Sequence, residues 1–178
     1  MKPKFFSIIP ARIGSKGITK KNLYPFKNKP LVQWTIEASD KSKFINETIV
    51  SSDSDEILNL KSDLNFIKHK RGKKLSNDKA TSQAVVENIL EEMENLISDF
   101  EYIVLLQPTS PLRSSDHIDE ACKKILDDKA NSLVSVKEIS NSFLKILIEN
   151  PEGGLMSGQN NDFPFTPRQK LPKAFMPN

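Results

Sequence analysis

The sequence has a single cysteine and no long apolar run. Cys122 is the only cysteine among 178 residues, so a disulfide framework or a zinc site built on cysteine pairs is excluded, and a reducing compartment is expected. Unbroken apolar stretches such as 102–106 are far shorter than the ~18 residues of a membrane span. The apolar patch at 5–9 is also too short for a signal peptide. We therefore predict a cytoplasmic protein without a membrane-spanning segment.

A large excess of charge of one sign is missing as well. The chain has 26 basic and 23 acidic residues, and its net charge of +3 is too small to indicate a nucleic-acid partner. The hydrophobic share of 37%, the charged share of 28% and a mean hydropathy of −0.44 are typical of a globular domain. We find no repeat, low-complexity tract or linker, so a single domain over 1–178 with one core is expected.

Strand-like and helix-like segments alternate along the chain. Strands are predicted at 5–9, 47–51, 66–67, 102–106, 133–136 and 143–148. Helices are predicted at 30–39, at 84–96 and from Ser115 onward. A further short helix is predicted after Asp53, which resembles a capping box together with Glu56. The stretch 151–178 is expected to be irregular, and 102–106 to be a centre strand. This alternation predicts an α/β fold with parallel strands, and ligand sites in the loops after Pro10 and Leu106.

A basic loop containing glycines follows the first predicted strand. Residues 12–22 contain Gly14, Gly17 and four cationic side chains. Glycines let backbone N–H groups turn toward an anion, and arginine and lysine neutralise its charge. The glycine spacing matches neither the dinucleotide-binding fingerprint nor the Walker A loop. A solvated basic turn is the alternative, but the position directly after a first strand favours a polyphosphate site.

Several motifs together resemble those of the acylneuraminate cytidylyltransferases, also called CMP-sialic acid synthetases. The resemblance is carried by IPARIGSKG (9–17), KN (21–22), KPL (29–31), SSDS (51–54), LLQPTSPLR (105–113), RQ (168–169) and LPK (171–173). It implies a three-layer α/β/α Rossmann-like fold of the nucleotide-diphospho-sugar transferase type, with a mostly parallel sheet. It also implies an enzyme of nucleotide-sugar biosynthesis for a bacterial surface glycan. Such an enzyme transfers CMP from CTP to the anomeric hydroxyl of a nine-carbon 2-keto acid sugar and releases pyrophosphate.

The resemblance also assigns roles to individual residues. Arg12 and Lys21 would neutralise charge during catalysis. The residues implied to hold the nucleotide are Ala11, Arg12, Gly14, Ser15, Lys21, Asn22, Arg71 and Ser82, of which Asn22, Arg71 and Ser82 would contact the cytosine or ribose. Gln107, Lys145, Arg168 and Gln169 would bind the sugar. The alternative to a sugar contact is turn capping for Gln107 and a solvated surface position for Lys145.

Enzymes of this family need Mg²⁺, and many are homodimers. Their metal-binding carboxylates, a further strand and the dimerisation region would fall downstream of residue 178, so we expect the chain to lack this C-terminal region and to have little synthetase activity alone. Asp53 and Asp55 have metal-site spacing, but their position favours capping of a helix. Dimerisation of this chain is left open.

Other polar residues offer weaker candidates. His69 and His117 have no nearby nucleophile or second ligand in sequence, so each is predicted to be a surface or helix-start residue. Cys122 is predicted to pack inside a helix. Two other functions stay open: a catalytically silent nucleotide- or sugar-acid-binding module, and a CMP-Kdo synthetase-like enzyme. The sequence does not distinguish neuraminic, legionaminic and pseudaminic acids.

Overall fold

The computed structural model describes residues 3–60, 63–159 and 161–177. The chain divides into two compact units, Met1–Lys129 and Ala130–Asn178, which we call the first and the second unit. A single nucleotidyltransferase domain over 1–178 stays a prediction from the sequence. No helix in the described ranges is long and apolar enough to cross a membrane.

The first unit is built around a parallel sheet. Its strands are β1 (Phe5–Pro10), β2 (Pro25–Phe26), β3 (Lys29–Pro30), β4 (Ile45–Ser52), β5 (Ile67–Lys70) and β6 (Tyr102–Leu105). Its helices are α1 (Leu31–Asp40), α2 (Asp55–Leu58), α3 (Ser82–Glu92), α4 (Glu94–Ile97) and α5 (Ser115–Asp127). The sheet order is β5-β4-β1-β6 with every pair parallel, while β2 and β3 form a short antiparallel hairpin.

Alternation along β1 separates two hydrophobic cores. Phe5 and Ile9 point to the side where α1, α2 and α5 pack, and Phe6 and Ile8 point to the side of α3 and α4. Successive side chains of a strand face opposite sides of the sheet, so a strand that is apolar at both parities must be covered on both faces. The first unit therefore has three layers, as expected from the resemblance.

The structure corrects three details of the predicted elements. β6 pairs only with β1 among the described strands, so it lies at a sheet edge, and Ile103 and Leu105 are 42% and 41% exposed. The prediction that 102–106 is a centre strand is therefore wrong. An apolar run indicates that side chains are buried, but it does not indicate how many strands pair with the segment. The capping box at Asp53 is also wrong, since Ser54 is the N-cap of α2 and no side chain caps it. The helix predicted over 84–96 is broken at Met93 into α3 and α4.

The second unit contains two antiparallel ribbons. β7 (Val136–Ile139) pairs with β10 (Ala174–Pro177), and β8 (Leu147–Glu149) pairs with β9 (Leu155–Ser157). The strand predicted at 133–136 begins only at Val136, and much of the strand predicted at 143–148 is a 3-10 helix over Asn141–Lys145. The stretch 151–178, predicted to be irregular, contains β9 and β10. Parallel pairing was wrong for this unit, whose apolar residues are mostly exposed and so carry little core signal.

Candidate functional site

A cavity of about 150 Å³ lies at the carboxyl edge of the parallel sheet. The loops after β1, β5 and β6 and the start of α3 surround it, which is where ligands bind in open α/β sheets. Its lining residues are Pro10, Arg12, Gly14, Ser15, Lys21, Asn22, Arg71, Ala80, Thr81, Ser82, Val85, Gln107, Pro108 and Thr109. The loops after Pro10 and Leu106, both predicted to carry the site, thus line one cavity.

Local hydrogen bonds hold the loop after β1 in place. The N–H of Ile13 donates to Asp53 Oδ1 at 2.8 Å, and Asn22 Nδ2 donates to the carbonyl of Arg12 at 2.7 Å. Neither Gly14 nor Gly17 has a positive φ, whereas Lys20 does, at 50°. A Cβ atom at Gly14 would meet no protein atom within 4 Å, so Gly14 leaves open space at the cavity wall.

The cations of this loop are unequally paired. Arg12 NH1 lies 2.6 Å from Asp78 Oδ1, and Lys16 Nζ lies 3.3 Å from Asp78 Oδ2. The Arg12 hydrogen bond, followed by that of Lys16, lowers the pKa of the Asp78 carboxyl from its ordinary value. Lys20 pairs with Glu56 at 3.1 Å, while Lys21 has no ion pair within the described ranges. Among the described residues, Lys21 is therefore the cation of this loop that lines the cavity without an ion pair.

Arg71 is a buried cation that also lines the cavity. Its Nε donates to Ser51 Oγ at 3.2 Å, Nη2 donates to the Ser51 carbonyl at 2.9 Å and Nη1 donates to the Leu75 carbonyl at 3.4 Å. Burial lowers the pKa of Arg71; nearby Asp53 opposes this shift and Arg12 adds to it. These bonds turn Arg71 into a fixed donor group instead of a mobile surface cation.

Gln107 follows β6, and its backbone is anchored. Its carbonyl accepts from Arg113 NH1 at 3.2 Å and from the N–H of Ser110 at 3.4 Å. Burial lowers the pKa of Arg113, the half-buried cation that makes the first of these bonds. The Gln107 side chain is exposed and lines the cavity, so its amide can donate to and accept from a ligand.

The first turn of α3 lies at the same cavity. The Thr81 hydroxyl accepts the N–H of Ala84 at 3.1 Å and caps the helix, and Ser82 begins it. Partial positive charge at a helix N-terminus adds to the field of Arg12, Lys21 and Arg71. This wall of the cavity is therefore electropositive and rich in hydrogen-bond donors.

The second unit has a cavity of its own, of about 410 Å³. Arg168 and Gln169 line it together with Ser140, Asn141, Glu138, Ile139 and Lys173. The Asn141 amide donates to the Arg168 carbonyl at 3.2 Å, which fixes the backbone at that point. Lys145 ends the 3-10 helix and is not among the lining residues.

Comparison with known proteins assigns the chain to a family. The sequence profile described as Cytidylyltransferase matches residues 6–155, which is most of the chain. The chain belongs to the cytidylyltransferase family. The family resemblance expected from the motifs is thereby confirmed.

Relatives of the family act on different sugars according to their names. An N-acylneuraminate cytidylyltransferase of Escherichia coli O18:K1:H7 (strain RS218 / NMEC) is 39% identical over 123 residues, 69% of this chain and 28% of that protein. A pseudaminic acid cytidylyltransferase of Campylobacter jejuni serotype O:2 is 34% identical over 139 residues, 76% of this chain and 59% of that protein. The chain thus spans between about a quarter and three fifths of these relatives.

Solved structures show the same fold. A CMP:2-keto-3-deoxy-manno-octonic acid synthetase complexed with CTP has a TM-score of 0.61 at 18% identity and covers 83% of this chain and 60% of its own. A 4-diphosphocytidyl-2C-methyl-D-erythritol synthase has a TM-score of 0.58 at 12% identity. The match covers 99% of this chain and 72% of that synthase. The predicted Rossmann-like nucleotidyltransferase fold is therefore confirmed.

Most residues that the family resemblance singles out for the nucleotide lie at the cavity of the first unit. Ala11 is the exception, because its side chain is fully buried in the core and its N–H donates to the Ser51 carbonyl at 2.8 Å. Asn22 lines the cavity, yet its amide nitrogen is engaged by the Arg12 carbonyl. Sequence reasoning missed Asp78 and Thr81; an acidic residue within the basic stretch 68–79 was the available signal for Asp78.

Three other predicted residues are now placed. His69 is not a surface residue, because it is only 4% exposed and both ring nitrogens have partners. His117 is a helix-start residue, as predicted, and forms a capping box with Ser114. Cys122 packs in the core, and burial, assisted by Asp119, raises the pKa of its thiol to about 11.

A magnesium site is not formed by the described residues. They contain no group of three or more His, Cys, Asp or Glu side chains placed to hold a metal ion. Asp53 accepts the N–H of Ile13, and Asp55 pairs with Lys70 at 2.6 Å, so both carboxylates already have protein partners. This donor set does not fit Mg²⁺, which prefers several oxygen ligands in octahedral geometry.

Proposed function

We propose that the cavity of the first unit binds CTP and serves the transfer of CMP to the anomeric hydroxyl of a nine-carbon 2-keto acid sugar, with release of pyrophosphate. The observation that supports this most directly is the convergence of Arg12, Lys21 and Arg71 on one cavity of a cytidylyltransferase-family chain. Cations from two separate loops are suited to a ligand that carries several negative charges along its length.

The cavity walls suggest the orientation of the nucleotide. Arg12, Ser15 and Lys21 come from the loop after β1 and would hold the triphosphate, with Gly14 leaving room for it. Asn22, Arg71 and Ser82 would contact the cytosine or ribose. Arg71 suits the nucleoside because its fixed guanidinium can donate to oxygen acceptors in a defined direction.

The reaction needs positioning and charge neutralisation more than a covalent intermediate. The sugar's anomeric oxygen attacks the α-phosphorus in line and loses its proton to solvent, while the bond from that phosphorus to the bridging oxygen breaks and pyrophosphate leaves. Negative charge grows on the departing phosphates, where Arg12 and Lys21 would stabilise it. These two residues would therefore carry the catalytic effect of the loop after β1.

The sugar specificity is proposed at the level of an acidic nine-carbon sugar of the N-acylneuraminate type. Gln107 lines the nucleotide cavity and offers both a donor and an acceptor for sugar hydroxyls or the carboxylate. Contact of Lys145, Arg168 and Gln169 with the sugar stays a prediction, as does the Mg²⁺ requirement. A Kdo-type sugar is an alternative, since a structural neighbour with the same fold is named for that acid.

Calorimetric titration of CTP tests the nucleotide site. Arg12→Ala and Lys21→Ala should each weaken binding by about 1–3 kcal/mol, because each removes a charge-assisted hydrogen bond to the triphosphate. Lys20→Ala is the matched control, because it removes the same charge from the residue directly before Lys21. Lys20 pairs with Glu56 and does not line the cavity, so CTP affinity should be unchanged. Unchanged affinity in both test variants would contradict the proposed site.

A second assay separates an enzyme from a silent binding module. Pyrophosphate release is measured from CTP, with magnesium and a panel of neuraminic, legionaminic, pseudaminic and Kdo-type acids. Turnover with one of the nine-carbon acids supports the proposed reaction. CTP binding with little turnover is expected both of a binding module and of a chain that lacks the family's metal-binding carboxylates, so brisk turnover is the deciding result, and it would also refute the expected lack of those carboxylates.

A further inference from the structure

Four side chains form a continuous hydrogen-bond network beside the cavity. Arg71 Nε lies 3.2 Å from Ser51 Oγ, Ser51 Oγ lies 2.9 Å from His69 Nδ1, and His69 Nε2 lies 3.0 Å from Glu92 Oε2. Ser51 and His69 are paired across β4 and β5, and Glu92 ends α3. Ser51, His69 and Arg71 are all buried, whereas Glu92 is exposed. The hydrogen-bond network therefore runs from the cavity wall through the protein to the surface carboxylate of Glu92.

For a neutral imidazole, the donors and acceptors of this hydrogen-bond network have only one consistent direction. Arg71 can only donate, so Ser51 Oγ accepts from its Nε. The Glu92 carboxylate, whose pKa is lowered first by Asn88 and then by His69, accepts from His69 Nε2. His69 Nδ1 is then the acceptor for the Ser51 hydroxyl hydrogen. A hydrogen on Nδ1 would instead leave the buried Ser51 hydroxyl without an acceptor for its own hydrogen among the described residues.

We propose that His69 is a positioning residue for nucleotide binding, which acts on Arg71 through Ser51. With its hydrogen held by His69 Nδ1, the Ser51 hydroxyl turns a lone pair toward Arg71 Nε. The guanidinium plane is then fixed by Ser51 Oγ, the Ser51 carbonyl and the Leu75 carbonyl. This inference rests on the proposed function, in which Arg71 contacts the nucleoside part of CTP.

The anchored guanidinium keeps donors for a ligand. Among the described residues, its hydrogen bonds use Nε–H and one N–H of each terminal nitrogen. One N–H of each terminal nitrogen has no partner in the part of the protein that the structure describes, and Arg71 lines the cavity. Donors on a guanidinium of fixed orientation suit oxygen or nitrogen acceptors of a nucleoside, whereas a mobile guanidinium would lose freedom on binding.

Two substitutions of His69 separate positioning from packing. His69→Asn places an amide oxygen near the position of Nδ1, so the Ser51 hydroxyl keeps its acceptor. His69→Gln reaches toward the position of Nε2 and keeps a donor for Glu92, but it leaves Ser51 without that acceptor. A purely structural histidine would predict similar binding in both variants.

The ligands are CTP and inorganic tripolyphosphate, which has the phosphates but no nucleoside. His69→Gln should weaken CTP binding about tenfold and leave tripolyphosphate binding within about twofold, because only the nucleoside end depends on Arg71. His69→Asn should bind both ligands like the unsubstituted chain. Equal loss of both ligands in His69→Gln, or no loss of CTP, would overturn the positioning role.

A measurement on the unsubstituted chain tests the inference even if the His69 variants do not fold. Nitrogen-15 NMR of the His69 ring at neutral pH should show the hydrogen on Nε2 and a bare Nδ1. A hydrogen on Nδ1 would overturn the inference whatever the variants do. Absence of CTP binding to the unsubstituted chain refutes the proposed function instead, so the two failures are distinguishable.

Discussion

At the scale of single residues, the Asp78 carboxylate pairs with two cations of the loop that is proposed to bind the triphosphate. Its two carboxylate oxygens contact Arg12 and Lys16, as oxygens of a bound phosphate could. The cavity of about 150 Å³ is also below the ~300–1,000 Å³ of typical ligand sites. A triphosphate held by Arg12 would therefore compete with the Asp78 carboxylate for that guanidinium.

Removal of this internal competitor should strengthen nucleotide binding. Asp78→Asn should bind CTP about two- to fivefold more tightly, because an exposed ion pair contributes little and the neutral amide no longer competes with phosphate for Arg12. Calorimetric titration measures the change. Asp128→Asn is the control for net charge, since Asp128 pairs with Lys124 in α5 and does not line the cavity.

The effect should not depend on pH in the neutral range. The pKa of Asp78 lies below its ordinary value of 3.8, so its pairing is fully present above that value and is lost only as pH falls through the lowered pKa. The ratio of CTP affinities between the variant and the unsubstituted chain should be the same at about pH 6 and about pH 8. Weaker binding by Asp78→Asn would show that Asp78 organises the loop for the ligand.

At the scale of elements, α5 illustrates how a local signal defines a helix start. Ser114 Oγ accepts the N–H of His117 at 3.4 Å, and His117 Nδ1 accepts the N–H of Ser114 at 3.2 Å. This reciprocal pair satisfies two backbone donors that the helix itself leaves free. Ile118 and Cys122 then face the core one turn apart.

Loss of this cap should lower stability without affecting the cavity. Ser114→Ala should reduce the free energy of unfolding by about 1 kcal/mol, measured by urea denaturation. Ser115→Ala is the neighbouring control, because it keeps the cap and places a better helix former at the first helical position. An equal loss in both variants would show that the capping bond is not the cause.

At the scale of the whole molecule, the cavity proposed to bind CTP belongs to the first unit. Every lining residue lies between Pro10 and Thr109, and the unit has its own parallel sheet with a core on each face. A unit with its own core is expected to fold by itself. The fragment 1–129 should therefore bind CTP with an affinity within about twofold of that of the full chain.

This prediction is checked by thermal denaturation of the fragment followed by CTP titration. The Arg12→Ala version of the fragment is the matched control and should lose affinity as it does in the full chain. A fragment that unfolds without a cooperative transition, or one that folds but does not bind CTP, would contradict the prediction.

Local sequence patterns determined a large part of the fold and of the candidate site. The apolar run ending at Pro10 defines β1, the basic stretch from Arg12 to Asn22 defines the loop that follows, and Pro30 precedes α1. These features depend on residues close in sequence, whose side-chain size, charge and backbone preferences act directly on local conformation. The motifs were also sufficient to identify the family.

Only the tertiary structure decided which distant residues meet. Asp78 lies 66 residues from Arg12, Asp53 lies 40 residues from the Ile13 N–H that it accepts, and Ser51 and His69 come together only across paired strands. The edge position of β6 likewise depends on strand order. Periodicity reports whether a residue is buried, but hydrogen-bond and ion-pair partners are selected by the folding of separate segments against one another, so those contacts were not predictable from the sequence.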